Sequence, residues 1–542
     1  MADYTFVPPN KTTPPASTNP NSSGETYRIR QTIKPTIVLD ELSLKKREDP
    51  DSKQTRQLED FTSMEFPLIK INDYMVGVEE IDYFKIDTND SLPRITLTLS
   101  FQNDLFMTKN LPKDGDMISI AIMNKSNLLN PIRNDYIITG VSPLKKSTTI
   151  KHALTVTFFG DLFIPGFNNY KGNVAFNMTS MEALKSIARE LGLGFSSNEE
   201  FTDDHQIWII TTAFDKTIEE IVSRSWKDEN SFFDWWIDIY YTLNFVNVQK
   251  QLLSQENEVD SAALLNNSNT EYVWGSNKST TVETPKVFSN YAGYRNTSFY
   301  ITDWRPINKS SQITFDYGTS IQATFFESND VLYRDPNKTK YWSFKVEPAY
   351  DPQKINSHIL LRGRAKWDPS INSNEPAKAN YDFLQLYNVS PWLGIQYTIS
   401  NPNEDNSKWT GNHHRNYLRA QVQNILNLVE LDKLNVEINV QGTNLNIIKG
   451  DKLPIVLVQK DRVENLIVDP SFQLSEALEF FYTGWFYVKG FTLSWIRGMS
   501  PLFSNFSQSF LLTRREWPAP VPVDPVKPTP NVPPPPENNI II

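Results

Sequence analysis

The chain has 542 residues, a length that accommodates three or four domains, and 39% of them are apolar, enough to build cores. Its formal net charge is −10, which argues against a surface that grips nucleic acid, because neutralising phosphates takes clustered Lys and Arg; a smooth acidic wall that DNA slides past stays compatible with it. There is no cysteine, so disulfides, thiolate zinc sites and cysteine nucleophiles are all excluded.

Residues 1–26, "MADYTFVPPNKTTPPASTNPNSSGET", are dominated by Pro, Ser, Thr and Asn. They bury too little to order themselves, and no basic stretch followed by an apolar one marks a signal peptide. Residues 27–60 complete an extended N-terminal arm, 1–60. Residues 61–165 read as all-β: "RITLTLSF" (94–101) and "HALTVTFF" (152–159) alternate, and "GDMISIAI" and "DYIITGV" lie between them. Residues 166–250 read as an α/β domain. In "MTSMEALKSIARELGLGF", Thr179 and Glu182 have capping-box spacing and Gly192 sits where a helix-ending glycine belongs. Leu184, Ile187, Ala188 and Leu191 form the apolar stripe of that helix. A second helix is predicted from about Thr217 to Trp226, with Ile218, Ile221 and Val222 on one face.

Residues 251–380 open on a polar inserted loop and continue as mixed β, with strands predicted at "FYITDWR", "SIQATFFE", "YWSFKVE" and "HILLRGRAKW". A third helix is expected near 414–429, where Leu418, Val422, Ile425, Leu426 and Val429 recur at helical spacing, and strands resume from Leu434. After Trp517 the sequence "PAPVPVDPVKPTPNVPPPPENN" predicts a polyproline II tail, 518–542, ending on three isoleucines. No run of eighteen apolar residues marks a membrane span.

Residues 231–250, "SFFDWWIDIYYTLNFVNVQK", concentrate aromatic rings. A stacking platform for a sugar or base needs exposed rings; the near-continuous apolar run fits an element buried on both faces, in a core or a subunit interface. Asp234 and Asp238 at i, i+4 also suit one exposed helical face. A search for chemistry finds little. His413 and His414 lack further ligands nearby, and His152 opens a strand. Asp203, Asp204 and His205 form a polar turn, whereas hydrolytic triads assemble from distant positions. Glu219 and Glu220 face solvent opposite Ile218 and Ile221. No phosphate loop, nucleophile elbow or His-Glu-x-x-His motif is present. No catalytic residue, metal site or cofactor is expected.

One comparison within the chain organises it. "GDMISIAIMN" (115–124) aligns with "GDKLPIVLVQ" (450–459), "RITLTLS" with "LNVEINV", "YIITGV" with "FYVKGF", and "ALTVTFF" with "SFLLTRR". The segment "KDRVENLIVDPSFQLSEALEFF" is then an insertion in the second copy, near 460–483.

On these residues, with "MTSMEALKSIARELGLGFSSN" and "SFFDWWIDIYYTLNFVNVQKQL", the chain resembles the central hub proteins of contractile-tail baseplates, the T4-type hub and its late-control relatives, over roughly 60–250 and 380–518. The resemblance implies an α+β, mainly β fold: two related antiparallel tail-tube-like β-barrels at 61–165 and 381–517, with the α/β domain and insertions between them and extended termini. It also implies a homotrimer, part of the virion tail, whose paired barrels make a pseudo-six-fold ring. That ring joins the tail tube protein above to the trimeric central spike protein below. Baseplate wedge proteins are its further neighbours, and DNA passes through without specific binding, past a lumen expected to be acidic. A receptor- or carbohydrate-binding tail protein, or a hub with peptidoglycan hydrolase activity, is the alternative.

Overall fold

The computed structural model describes residues 27–29, 33, 36, 67–101, 112–122, 132–142, 145–146, 154–169, 174–210, 212–228, 230–253, 288–291, 300–309, 320–326, 341–347, 364–367, 383–388, 414, 416–432, 434–443, 445, 447–459, 479, 481–498 and 506–514. The proline tail 518–542, residues 1–26 and most of the 460–483 insertion lie outside the described residues.

The strands are β1 (Tyr27–Ile29), then β2 (Leu68–Ile71), β3 (Tyr74–Val76), β4 (Ile81–Asp87), β5 (Arg94–Phe101), β6 (Met117–Ile122), β7 (Ile132–Val141), β8 (Lys145–Lys146) and β9 (Leu154–Leu162). The middle of the chain gives β10 (Val174–Met178), helix α1 (Ser180–Leu191), β11 (Gly194–Ser197), β12 (Gln206–Ile210), α2 (Phe214–Ser223), β13 (Phe233–Ile237), β14 (Thr242–Asn247) and the short α3 (Val248–Leu253). There follow β15 (Phe288–Ser289), β16 (Ile301–Asn308), β17 (Ser320–Phe326), β18 (Tyr341–Glu347), β19 (Arg364–Trp367) and β20 (Phe383–Asn388). Helix α4 (Tyr417–Asp432) then leads to β21 (Leu434–Val440), β22 (Lys452–Val456), β23 (Gly484–Ile496) and β24 (Phe506–Thr513).

The fold is mainly β. One fourteen-stranded sheet runs β16-β21-β24-β23-β4-β5-β9-β7-β6-β2-β3, with β15 and β22 joined at β23 and β8 at β9. The strands expected in 251–380 divide: β17 to β20 make a separate four-stranded sheet, while β16 pairs with β21 and so enters the large sheet from well before residue 381.

The large sheet is two copies of one pattern. In the first, β5-β9-β7-β6 are neighbours; in the second, β21-β24-β23-β22. The turn before β6 is fixed by Gly115 N–H donating to Ile138 O (2.8 Å), Asp116 N–H to Lys113 O (3.0 Å) and Ile138 N–H to Asp116 O (2.7 Å). The turn before β22 repeats the set: Gly450 to Val488 (2.8 Å), Asp451 to Ile448 (3.2 Å) and Val488 to Asp451 (2.8 Å). In both the aspartate carboxylate accepts a backbone N–H three residues back, from Lys113 (2.8 Å) and Ile448 (2.9 Å). Both glycines take a left-handed φ, +91° and +95°, which explains why glycine precedes the aspartate twice. The β-bulge between Ile138 and Gly140 recurs between Val488 and Gly490, and the one between Ile81 and Tyr83 recurs between Ile301 and Asp303. The last pair makes β16 the counterpart of β4.

The α/β domain follows from local signals. Thr179 and Glu182 form the reciprocal capping box, and Gly192 caps α1 at φ 71°. Helix α2 begins at Phe214, three residues before the predicted Thr217, because Phe214 is itself buried in the core. It stops at Ser223 rather than Trp226 because the Trp226 N–H leaves the helix to donate to buried Asp204 (3.1 Å). One continuous hydrophobic core runs from Ile69 through Leu184 and Phe245 to Leu512, so the two units and the domain between them fold around shared apolar surface.

The two turn glycines separate backbone strain from crowding. A Cβ at Gly450 would meet the Trp236 ring at 2.7 Å, whereas at Gly115 nothing lies within 4 Å. Gly115→Ala is expected to cost about 1–2 kcal/mol from the left-handed backbone alone, and Gly450→Ala about 2–5 kcal/mol because overpacking adds to it. Denaturant unfolding of the two variants checks this; equal losses would show that Trp236 gives way freely.

Candidate interaction surfaces

The two units are welded by β23. Its first four residues pair with β22; its last five pair with β4, from Thr492 opposite Asp87 to Ile496 opposite Tyr83. Thr88 N–H donates to Phe491 O (2.9 Å) at one end of this seam and Arg497 N–H to Asp82 O (2.9 Å) at the other. The Thr88 hydroxyl also accepts from Phe491 N–H (2.9 Å). On the core side Phe84 stacks on Trp495, with centroids 6.1 Å apart and planes 6° off parallel, and Phe506 meets Phe84 edge-on at 5.9 Å.

The counterpart elements have no such weld among the described residues. β16 pairs with β21 on one side; on its other edge Tyr300, just before the strand, is bridged to Ser289 of β15, and from Asp303 to Asn308 that edge faces no described strand. Trp304, which holds the position of Phe84, is half-buried against Tyr482 at 5.0 Å, whereas Phe84 is fully buried. Likewise β7 pairs with β6 through Ile137, and beyond that point its outer edge and that of β8 meet no described strand.

The side of the sheet opposite the core is polar. Ser507 faces Ser494 (hydroxyl oxygens 2.7 Å apart), Thr98 faces Thr157 (3.0 Å) and Ser100 faces Thr155 (3.2 Å). Between these hydroxyl pairs the cations are matched. Lys85 lies 2.8 Å from Asp87, Arg94 3.1 Å from Asp161 and 2.6 Å from Asp90, and Arg305 2.5 Å from Glu437. Phe159 and Ile496 are the large apolar residues exposed there. This is a hydroxyl-lined face spanning both units and the weld between them, with these cations compensated and carboxylates, exposed Asp303 among them, in slight excess.

The residues that suggested chemistry do structural work. Asp204 is completely buried and accepts from Ser180 N–H (2.9 Å), from the Ser180 hydroxyl and from Trp226 N–H (3.1 Å), holding the start of α1 to the end of α2. Burial raises its pKa, against the hydrogen bonds that favour the carboxylate. Asp203 and His205 on either side are exposed. His414 is buried, its Nε2 2.8 Å from Arg224 O, so that nitrogen carries the proton. His413, His152 and His358 lie outside the described residues. Glu219 and Glu220 are exposed and paired with Lys216 and Arg224. Among the described residues no group of three or more His, Asp or Glu is placed to hold a metal ion.

The aromatic stretch 231–250 is core. β13 and β14 form an antiparallel hairpin, and Phe232, Phe233, Trp235, Trp236, Tyr241 and Phe245 are all buried. Phe233 stacks on Phe245 at 4.7 Å. Asp234 and Asp238 share no helix. Asp238 organises the hairpin turn, its Oδ1 accepting from Tyr240 N–H (2.8 Å) and Thr242 N–H (3.0 Å). Where it is described, the N-terminal arm docks across this domain and strand β7 of the first unit. β1 pairs antiparallel with β11, Ile33 N–H donates to Gly192 O (3.2 Å), and Thr36 donates through backbone and hydroxyl to Asp135 Oδ2 (2.9 and 3.0 Å).

Helix α4 carries contacts that apolar periodicity did not find. It starts at Tyr417 rather than 414 and runs to Asp432. Its described buried residues include Gln423, Asn424 and Asn427, and the predicted stripe lies largely outside the described side chains. The Asn424 amide donates to Val222 O (3.0 Å), Ser223 O (2.9 Å) and Ser225 O (3.1 Å), carbonyls at the end of α2, and its Oδ1 accepts from Phe233 N–H (3.1 Å).

No protein-family model matches the chain, and no curated protein matches it. Among solved structures, a tail protein from Neisseria meningitidis MC58 is 10% identical, with TM-score 0.40 over 83% of this chain and 96% of that one. A 43 kDa tail protein of prophage MuSo2 from Shewanella oneidensis is 9% identical, with TM-score 0.40 over 84% and 99%. An E. coli component of the type VI secretion system, described as similar to T4 bacteriophage tail proteins, is 9% identical, with TM-score 0.35 over 84% and 80%. At these TM-scores the likenesses carry no functional argument.

Asn424→Ala removes the amide partner of Ser223 O, Ser225 O and Phe233 N–H, while Val222 O keeps the Ser225 N–H (3.1 Å). It is expected to lower unfolding stability by about 2–4 kcal/mol, more than one ordinary hydrogen bond. Denaturant unfolding checks this; a loss under about 1 kcal/mol would show that water replaces the amide.

Proposed function

We propose that this chain is the structural hub of a contractile-tail baseplate. In this reading it is a homotrimer that joins the tail tube above to the trimeric central spike below, sits beside the wedge proteins and works without making or breaking a bond. The observation that supports the reading best is the duplicated unit, repeated down to its turn hydrogen bonds and its bulges and fused into one sheet at the β4–β23 weld. Two like units per chain give six in a trimer, which matches a six-fold partner on one side and a three-fold partner on the other. The sequence resemblance points the same way. Buried rings in 231–250 take away the platform a sugar-binding protein would use.

In a ring of such units the α/β domain, which shares the core, needs the outside, which leaves the free sheet face toward the axis. We therefore assign that face to the wall of the DNA passage. Its cations are compensated and its carboxylates are in slight excess, so with its hydroxyls it offers phosphate no free cation to hold. The protein then belongs to the virion tail.

Light scattering of the purified protein is expected to give about 187 kDa, three times 62.4 kDa, with negative-stain images of the same fraction showing a central hole and a pseudo-six-fold outline. A stable monomer that stays monomeric with a spike protein added would overturn the reading. For the wall, Asp87→Asn with Glu437→Gln frees Lys85 and Arg305. That trimer is expected to bind a duplex of about 30 base pairs at about 50 mM salt, with affinity falling as salt rises, where the unchanged trimer binds none. Binding by the unchanged trimer would refute a non-adhesive wall.

A further inference from the structure

We infer that a second copy of this chain docks on the outer edge of β16, against the β7–β8 edge, and that a proline makes this joint weaker than the internal weld. The inference rests on the ring reading above and on the internal duplication.

Within one chain, the edge of the second unit's β23 pairs with the first unit's β4. The counterparts of those two edges are the β7–β8 edge of the first unit and the β16 edge of the second. The match is residue by residue. Phe84 pairs with Leu97 as Trp304 pairs with Ile438, and Ile86 pairs with Ile95 as Pro306 pairs with Val436. On the receiving side Lys145 pairs with Thr155 as Ser494 pairs with Ser507. Such an interface joins unlike edges, so it passes from copy to copy in one rotational sense and closes when the ring is complete. The weld buries Phe84 completely, and the same position on β16 leaves Trp304 partly open and Arg305 and Pro306 exposed.

The difference at Pro306 is specific. The backbone groups of β4 that face β23 are those of every second residue, from Asp82 at one end to Thr88 at the other, and Ile86 is among them. Pro306 stands in the place of Ile86 and has no N–H. The β16 edge therefore lacks a donor in the middle of the joint, as edge strands do when open-ended pairing must be avoided. Side-chain packing by Trp304 and the remaining ladder hold the copies together, and trimer formation becomes concentration-dependent while the internal weld is permanent.

The chain has no cysteine, so a disulfide reports the joint without background. Lys85 and Ser494 are opposite in the weld, and their counterparts are Arg305 and Lys145. The full-length double variant Arg305→Cys with Lys145→Cys, mildly oxidised, is expected to give a covalent series that stops at three chains, and neither single variant gives one. In an otherwise unchanged chain, Pro306→Val restores the donor and is expected to lower the concentration at which half the chains are trimeric roughly tenfold or more. If the unchanged protein is trimeric by light scattering but the double variant does not cross-link, the joint is overturned and the ring reading stands. If no oligomer forms by either measure, both fall. Cross-linking with a midpoint unmoved by Pro306→Val would overturn the role of the proline alone.

Discussion

Strand β23 is hydrogen-bonded along both edges, to β24 on one side and to β22 and then β4 on the other. Thirteen residues thereby fix the second unit's own sheet and its attachment to a unit some 400 positions earlier in the chain. A strand that serves two partners along one edge must be long and must bend between them. The bulge between Val488 and Gly490 supplies the bend, next to the point where the β22 pairing ends and the β4 pairing begins. Beyond it Trp495 closes over Phe84, so the ladder and the core are completed by the same five residues. The arrangement costs a large loop closure during folding, and a shared core on both sides of the weld offsets it.

The weld also orders the rest of the molecule. Because β4 is tied to β23, the connection leaving it is held as well. Thr88 accepts and donates across the seam, and buried Lys449, in the Gly-Asp turn of the second unit, reaches the carbonyls of Asn89 and Asp90 (3.4 and 3.3 Å). Burial lowers the pKa of Lys449, and the nearby Asp234 and Asp90 carboxylates oppose that shift. Trp236 of the α/β domain packs against the same turn, with Lys449 over its ring at 5.2 Å. The turn that defines the repeat in sequence is thus also the point where both units and the domain between them meet.

How much of this was legible depended on the range of the interaction. The capping box at Thr179–Glu182, the Gly192 cap and the alternation of β5 are properties of a few neighbouring residues, and the sequence reads them directly. The repeat was legible because a left-handed glycine followed by a hydrogen-bonding aspartate leaves a spelling that survives when most side chains differ. What stayed hidden involves partners that no local pattern links. Asn424 lies in a helix whose apolar spacing draws attention to other positions, yet its amide completes the end of α2 about 200 residues away. Asp204 sits in a run that looks like any polar turn until Ser180 and Trp226 converge on it. β16 reads as one more strand of a mixed segment, and only its register against β21, bulge included, identifies it as the copy of β4.

The duplication also explains why the two faces of the sheet differ so sharply in their tolerance. On the core face the equivalent positions stay large and apolar, Leu97 and Phe158 in one unit and Ile438 and Phe510 in the other, because they fill one continuous interior. On the free face they have diverged: Thr96 corresponds to Glu437, which faces Arg305, and Thr98 to Asn439, which faces Asp303. Exposed ion pairs of this kind contribute little to stability, so the pairing is not explained by folding alone. Lys85, Arg94 and Arg305 each lie against a carboxylate there, so the face presents its cations already compensated. Compensated cations are what the polyanion passage proposed above would require of its wall, because they leave phosphate no free cation to hold.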